Sequence, residues 1–470
     1  MWFPKSGKTM NAEKSKSFAP DAVPEAVSYC PQVILLSLNW TRDKDPRLPL
    51  GHASLLAALK AAGRDVKSLV YAVNADLSVT YIAGAILQIA HRDPRRPVVL
   101  GIGAYVWGEQ VLQQLLPLLR RRGFSGRIVL GGPQVSFMES GFEATYPQAD
   151  IFVRGSGEHV LVAITSTLER VTMPGVHYAG SSKLVSTAKA DIDDLPSPWL
   201  RHDWKKEPLK FVRMETMRGC PFSCSFCQHR APDKGARLAE LPESRVMREI
   251  AMFCDQGVES VAVLDPIFNA SSRSVGFLKA FAERGYRGKL SLQCRAELIT
   301  DDFLAAASSL NVTLEFGLQT IHTSESDAVN RRNKIDKVDE TLRRVRALGI
   351  QHEVSLIFGL PTQTLASFRE TVAWCLKRQV PVVKAFPLML LRGTQLATDA
   401  SRWSLRQSGH AMPFVISSSS FTEEDWAKMN AVSEALKATE GCHPTSIEQL
   451  PILDNGRNEL RWMPASLGSL

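Results

Sequence analysis

Cys220, Cys224 and Cys227 stand in one short stretch, Cys-Pro-Phe-Ser-Cys-Ser-Phe-Cys, directly after Arg218 and Gly219. Three soft thiolate ligands are thereby brought into a single loop, with no fourth cysteine beside them. A closed iron-sulfur cluster or a structural zinc site takes four protein ligands, so three imply a cluster whose remaining iron is open to a small molecule. His229 keeps a second reading available: Cys220, Cys224, Cys227 and His229 have the ligand types of a zinc knot in a nucleic-acid-binding protein.

The elements that must hold this loop follow from the hydrophobic pattern. From Pro31, apolar runs alternate with amphipathic stretches: Val33 to Leu38, a helix from Gly51 to Ala62, Val66 to Val73, a helical Ile82 to His91, then Val98 to Gly103. A helix from Glu109 to Arg122 leads to Arg127 to Leu130, and Ile151 to Val153 ends at Gly155-Ser156-Gly157-Glu158. Such alternation predicts an α/β fold with a doubly wound parallel sheet and ligands at its strand ends. Gly101-Ile102-Gly103 lacks the third glycine of a dinucleotide fingerprint. The acidic, proline-bearing stretch 190–208 reads as a linker.

Beyond it the pattern resumes. The cysteine loop follows a strand at Phe211 to Glu215, and further strands are expected at Val258 to Leu264, Lys289 to Cys294, Thr313 to Leu318, Glu353 to Phe358 and Val382 to Phe386. About six strand-helix units predict a partial (β/α) barrel over residues 209–400, with active residues at the carboxyl ends of its strands. Asp265, ending an apolar strand, is expected to face the cavity, and Cys294 to be packed. Residues 401–470 are expected to cap the barrel or touch substrate, with Trp403, Phe414, Phe421 and Trp426 as channel lining or core.

The chain has 470 residues, 44% of them hydrophobic, which suffices for two or three cores. Residues 1–30 read as a flexible segment; no uncharged apolar run approaches the length of a membrane span, and Met1 to Pro20 has lysines but no apolar signal core, so a cytoplasmic protein is expected. The five cysteines outside the loop sit singly, as reduced, buried cysteines do. The net charge of +8 is accounted for by solvated faces and by arginines such as Arg120 to Arg122 at a helix end, and gives little reason to expect nucleic acid.

With Phe226 preceding its last cysteine, the Cys-x-x-x-Cys-x-x-Cys spacing resembles the signature of the radical S-adenosylmethionine (SAM) superfamily. That resemblance implies a 4Fe-4S cluster on Cys220, Cys224 and Cys227, SAM on the open iron, an external electron donor such as flavodoxin or ferredoxin, and a radical generated by SAM cleavage. Asp265-Pro266-Ile267-Phe268-Asn269, Arg295-Ala296-Glu297, the run Glu315 to Thr320 and Phe358-Gly359-Leu360-Pro361 are similar to further family motifs. They imply SAM contacts from Phe226, Asp265, Arg295, Glu315, Gln319 and Leu360, with the backbone near Phe226 and Leu360 holding adenine. Glu315 reads equally as a structural carboxylate.

Residues 31–189 resemble the cobalamin-binding Rossmann-like domain that precedes the radical core in one class of these enzymes. Pro49-Leu50-Gly51, Gly131-Gly132-Pro133 and Arg154-Gly155-x-Gly157-Glu158 carry the similarity. It implies cobalamin contacts from Leu50, Tyr105, Trp107, Gly131, Gly132, Gln134, Gly155 and Glu158. No Asp-x-His-x-x-Gly occurs, so the turn Tyr105-Val106-Trp107 is the expected element beneath cobalt, with aromatic packing or an empty domain as alternatives. The class suggests a methyltransferase acting on an unactivated carbon of a small molecule or peptide. Cyclisation, ring contraction or aminocarboxypropyl transfer on the same architecture is the competing expectation.

Overall fold

The computed structural model describes residues 29–42, 45–46, 48–75, 78–189, 191–229, 238–409 and 412–452. The segment expected over residues 1–30 falls outside them except for residues 29–30. Among the described residues no helix is long and apolar enough to cross a membrane.

The first sheet contains β1 (Gln32–Asn39), β2 (Val66–Ala72), β3 (Val98–Gly103), β4 (Arg127–Gly131), β5 (Ile151–Val153) and β6 (Val176–Tyr178), in the order β2-β1-β3-β4-β5-β6. Every pairing is parallel except β5 with β6. The run Gln-Val-Ile-Leu-Leu-Ser-Leu keeps β1 buried on both faces, as a strand between two helix layers must be. Ile34, Leu36 and Leu38 join one core with Ile82, Ile86, Leu112 and Leu115. Val33 and Leu35 face the other way, toward Leu59, Val160 and Ile164. Strand order reverses between β1 and β3, where a doubly wound sheet opens its crevice.

The second sheet is wholly parallel, in the order β14-β13-β12-β11-β10-β7. Its strands are β7 (Phe211–Met214), β10 (Ser260–Val263), β11 (Lys289–Cys294), β12 (Val312–Gln319), β13 (Gln351–Phe358) and β14 (Val382–Pro387). Between β7 and β10, β8 (Met217–Arg218) pairs antiparallel with β9 (Ala239–Glu240) and closes the stem of the cysteine loop. Burial along β12 alternates strictly. Val312, Leu314, Phe316 and Leu318 enter the core, whereas Thr313, Glu315, Gly317 and Gln319 line a half-exposed inner face.

The stretch read as a linker is firmly seated. Ile192 and Trp199 belong to the second sheet's core, Trp199 packs edge-on to Phe253, and Arg245 Nη1 donates to the Leu195 carbonyl at 3.0 Å. Helix Glu423–Ala438 lies against β14, with Ser433 Oγ donating to the Ala385 carbonyl at 2.7 Å. Phe414, Phe421 and Trp426 are buried there as core, with Trp403 partly buried against them. Burial of the lone cysteines is mixed: Cys294 and Cys375 are buried, Cys254 is partly so, and Cys30 and Cys442 are exposed.

Candidate active site

The cysteine loop leaves the carboxyl end of β7 through Glu215 and Thr216, and Gly219, at φ 90°, turns it into Cys220. Its stem is gripped by Asp265. The Thr216 and Met217 amides donate to Asp265 Oδ1 at 2.7 and 3.1 Å, and the Thr216 hydroxyl donates to Oδ2. Asp265 is 0% exposed, and burial pushes its carboxyl up to about 6. The strand-end aspartate expected to face the cavity therefore shapes the loop from below.

All three loop cysteines are partly buried free thiols. Burial raises the Cys220 thiol and pushes Cys227 up to about 11, with Cys224 adding to both shifts through its proximity. Burial by itself favours the protonated form of such thiols, as it does at the packed Cys294 and Cys375. Arg331 Nη1 stands 3.7 Å from Cys224 Sγ, and the His229 amide 3.4 Å from Cys227 Sγ. Among the described residues no three of His, Cys, Asp or Glu are grouped closely enough to ligate a single ion. A cubane needs no such convergence, because each thiolate binds a different iron.

The strand ends around the loop are polar. Gln319, at φ 69°, follows a register shift in β12 between Gly317 and Gln319, the kind of bulge that re-aims side chains beside active sites. A Cβ on Gly317 would lie 2.9 Å from Gln319 Nε2 and 3.2 Å from Arg331 Nη2, so glycine there admits both groups. Glu315 lines the same inner face, where its charge acts on Arg42 and Arg213.

Arg295, expected to contact SAM, is already engaged. Its guanidinium lies 3.9 Å from the Phe222 ring centroid, donates to the Arg332 carbonyl at 2.7 Å and approaches Glu297 at 3.3 Å. It braces the loop. Leu360 is engaged within its own turn. It is 0% exposed, its amide and that of Gly359 point to Gln363 Oε1 at 3.3 and 2.7 Å, and its carbonyl accepts from the Gln363 amide at 3.2 Å. Both polar groups of its backbone are paired within the turn. Phe226 packs against the second core at its margin.

On the first sheet, Tyr105 and Trp107 stack with centroids 4.7 Å apart and planes 11° from parallel. Trp107 Nε1 donates to the Leu38 carbonyl at 2.9 Å, pinning the stack over the β1/β3 crevice. The strand-end glycines serve the protein's own chain. A Cβ on Gly132 (φ 90°) would lie 2.8 Å from the Ala104 carbonyl oxygen, and one on Gly155 (φ 87°) would collide with that of Ala188. Gly131 meets only ordinary contact, 3.6 Å from Val153. Leu50 is buried in the second sheet's core. The Gln134 side chain turns to Glu109 at 3.3 Å.

Glu158 is also engaged, and usefully so. Its Oε1 accepts from Ser54 Oγ at 2.9 Å and from Arg218 Nη2 at 2.7 Å, while Arg218 also pairs with Glu215 at 2.7 Å. Burial works against the Arg218 charge, but Glu158 and then Glu215 more than offset it. Arg218 precedes Gly219-Cys220, so this pair ties the cysteine loop directly to the first sheet's strand ends. Tyr105 lies near enough to Glu158 for that charge, after burial, to raise its hydroxyl.

Sequence reasoning singled out neither Arg218 nor Gln363. The position of Arg218 beside the first cysteine was its only signal. Gln363 had none, because its role depends on Glu325 lying 3.1 Å away and on Thr320 Oγ1 donating to the same carboxylate oxygen at 2.6 Å.

Residues 214–375 match the family model of the Radical SAM superfamily. The chain is 27% identical over 306 residues to the cobalamin-dependent radical SAM methyltransferase TokK of Streptomyces tokunonensis, covering 59% of this chain and 44% of that protein. It is 26% identical over 375 residues to a 2-(S-pantetheinyl)-carbapenam-3-carboxylate methyltransferase of Streptantibioticus cattleyicolor, covering 74% and 51%. The chain thus spans about half the length of these relatives. In fold it is similar to the radical SAM methyltransferase TsrM of Kitasatospora setae, solved with cobalamin and a [4Fe-4S] cluster bound, at a TM-score of 0.63 and 17% identity over 81% of this chain and 76% of that one. The matched segment contains the cysteine loop and the strand ends grouped around it, and it is in this segment that the chain is similar to the Radical SAM superfamily.

Proposed function

We propose that this chain is a cobalamin-dependent radical SAM methyltransferase acting on an unactivated carbon of a small-molecule or peptide substrate, with electrons from a flavodoxin- or ferredoxin-like donor. The observation that carries the reading is the Arg218–Glu158 pair at 2.7 Å, which joins the cysteine loop to the strand ends of the first sheet. A carbon between the two faces would be within reach of groups held on each, as a reaction using two cofactors requires.

In this reading residues 31–189 and 209–400 are the two cofactor-bearing units, the second an open (β/α) barrel. When bound, the cluster with SAM supplies a carbon radical and cobalamin supplies the methyl group. Cys220, Cys224 and Cys227 hold the cluster and leave one iron to SAM. Gln319, at the end of β12, and Arg331, just beyond the helix Thr323–Ala328, orient polar groups of SAM. Arg295, braced on Phe222, and Asp265, beneath the stem, fix the loop's shape. Tyr105 and Trp107 offer a flat aromatic floor suited to a corrin ring, in a region with no ligand histidine motif.

Anaerobic purification, reconstitution with iron, sulfide and hydroxocobalamin, and metal analysis of the desalted protein test the proposal. Iron, sulfide and stoichiometric cobalt are the expected result, followed by transfer of labelled methyl from SAM to candidate substrates. Iron and sulfide without retained cobalt would overturn the cobalamin reading.

A further inference from the structure

A short segment after β14 touches both the cysteine loop and the first sheet. The Arg392 carbonyl accepts from Gln228 Nε2 at 2.7 Å, one residue past Cys227, and the Leu396 amide donates to the Ser225 carbonyl at 2.9 Å, between Cys224 and Cys227. In the other direction, Arg392 Nη1 donates to the Gln134 carbonyl at 2.8 Å, just beyond β4. Gly393, at φ 69°, lies so close to the first sheet that a Cβ would stand 2.7 Å from the Phe137 carbonyl oxygen and 2.8 Å from its Cβ.

The segment is stiffened locally. Thr394 Oγ1 donates to the Leu391 carbonyl at 2.7 Å, and the Thr394 side chain caps the turn Gln395–Thr398 by accepting from the Ala397 amide at 3.3 Å. Arg218 fastens the entry of the cysteine loop to the first sheet, and Arg392 fastens its exit through an intermediary.

We propose that Arg392 and Gly393 are positioning residues: with their neighbours they form a strap that clamps the exit of the cysteine loop against the end of β4 and sets the spacing between cluster and first sheet. The consequence for methyl transfer rests on the function proposed above, whereas the clamp itself does not. No group in the strap touches a thiol or is required to touch substrate. Its effect passes through Ser225 and Gln228.

The test uses full-length, anaerobically reconstituted protein and the variants Arg392→Ala, Arg392→Lys and Gly393→Ala. Each is read by iron and sulfide content, the electron paramagnetic resonance spectrum of the dithionite-reduced cluster, and amide hydrogen exchange at residues 134–137 and 225–228. Iron and sulfide should stay at wild-type levels. Exchange at 225–228 should accelerate about tenfold in Arg392→Ala and Gly393→Ala as local opening becomes easier, with a broadened or shifted cluster spectrum. Arg392→Lys, which keeps a donor for the Gln134 carbonyl, should restore both.

Wild-type exchange and spectra in Arg392→Ala and Gly393→Ala would overturn the proposal. So would equal loss of iron in all three variants, which would make the segment a folding element. Wild-type protein that retains no cobalt would defeat the methyltransferase reading alone, since none of these readouts needs cobalt.

Discussion

At the carboxyl ends of the first sheet, Gly132 and Gly155 adopt left-handed backbone and press against the backbone of Ala104 and Ala188, so the space their missing side chains leave is filled by the protein itself. At the end of β12, Gly317 does the opposite and makes room for Gln319 and Arg331 beside Cys224. The strands differ in the same sense. β1 is buried on both faces, and β12 is buried on one while the other lines a polar interior. Glycine at a strand end is thus not by itself a ligand cradle. Whether it folds the sheet onto itself or opens it depends on what approaches from outside the strand.

The largest expected effect separates the two sheets outright. Cys224→Ala should lose the cluster and reduce SAM cleavage to background, while the first sheet, which shares no ligand with the loop, stays folded by circular dichroism and hydrogen exchange. Product formation by that variant would end the radical reading.

Next comes the joint between the sheets. Arg218→Ala leaves Glu158 and Glu215, with side chains 7% and 14% exposed, without their shared cation. Removing one partner of a buried pair costs about 3–5 kcal/mol. Urea unfolding should register a loss of that order, and an unchanged midpoint would show that the sheets are held together elsewhere.

Asp265 gives a smaller effect with a definite sign. Its carboxyl moves from 3.8 unfolded to about 6 folded, so between those values the folded protein binds more protons than the unfolded chain. Its contribution is therefore most favourable below about pH 4 and declines by about 2–3 kcal/mol as pH rises to about 6. Asp265→Asn should flatten that part of the stability profile measured by urea unfolding across pH 4 to 7. An identical slope in both proteins would mean the carboxyl is not perturbed.

The smallest effect bears on the glycines. Gly132→Ala places a Cβ against the Ala104 carbonyl at positive φ and should destabilise by about 1–3 kcal/mol. Gly131→Ala, with ordinary contact at 3.6 Å, should change stability by less than about 1 kcal/mol. Equal effects would remove the distinction drawn between the two positions.

The loop chemistry and the α/β alternation were legible in the chain because both are local. Ligand spacing is set over a few residues, and a strand's burial is written in its own period, continuous in β1 and alternating in β12. The strand-end contacts were much less legible. Asp265 and Leu360 occupy the expected strand ends, yet Asp265 binds Thr216 and Met217 while the Leu360 backbone is paired with Gln363. A motif gives a residue's position along a strand and not the partner that claims its polar atoms. How the linker is seated was illegible for a related reason: its prolines and acids signalled a connection, but Trp199 finds a core contributed by Phe253 from a helix far along the sequence.

Composition and spacing thus determined, unaided, that three thiolates share one loop, that the loop follows a parallel strand, and that a second parallel sheet precedes it. Only the tertiary structure decided how the two sheets meet. Arg218 reaches Glu158 across 60 residues and Arg392 reaches Gln134 across 258. Hydrogen bonds and ion pairs at such separations leave no periodic trace in a sequence, because their partners are neighbours only in the packed tertiary structure and not along the chain.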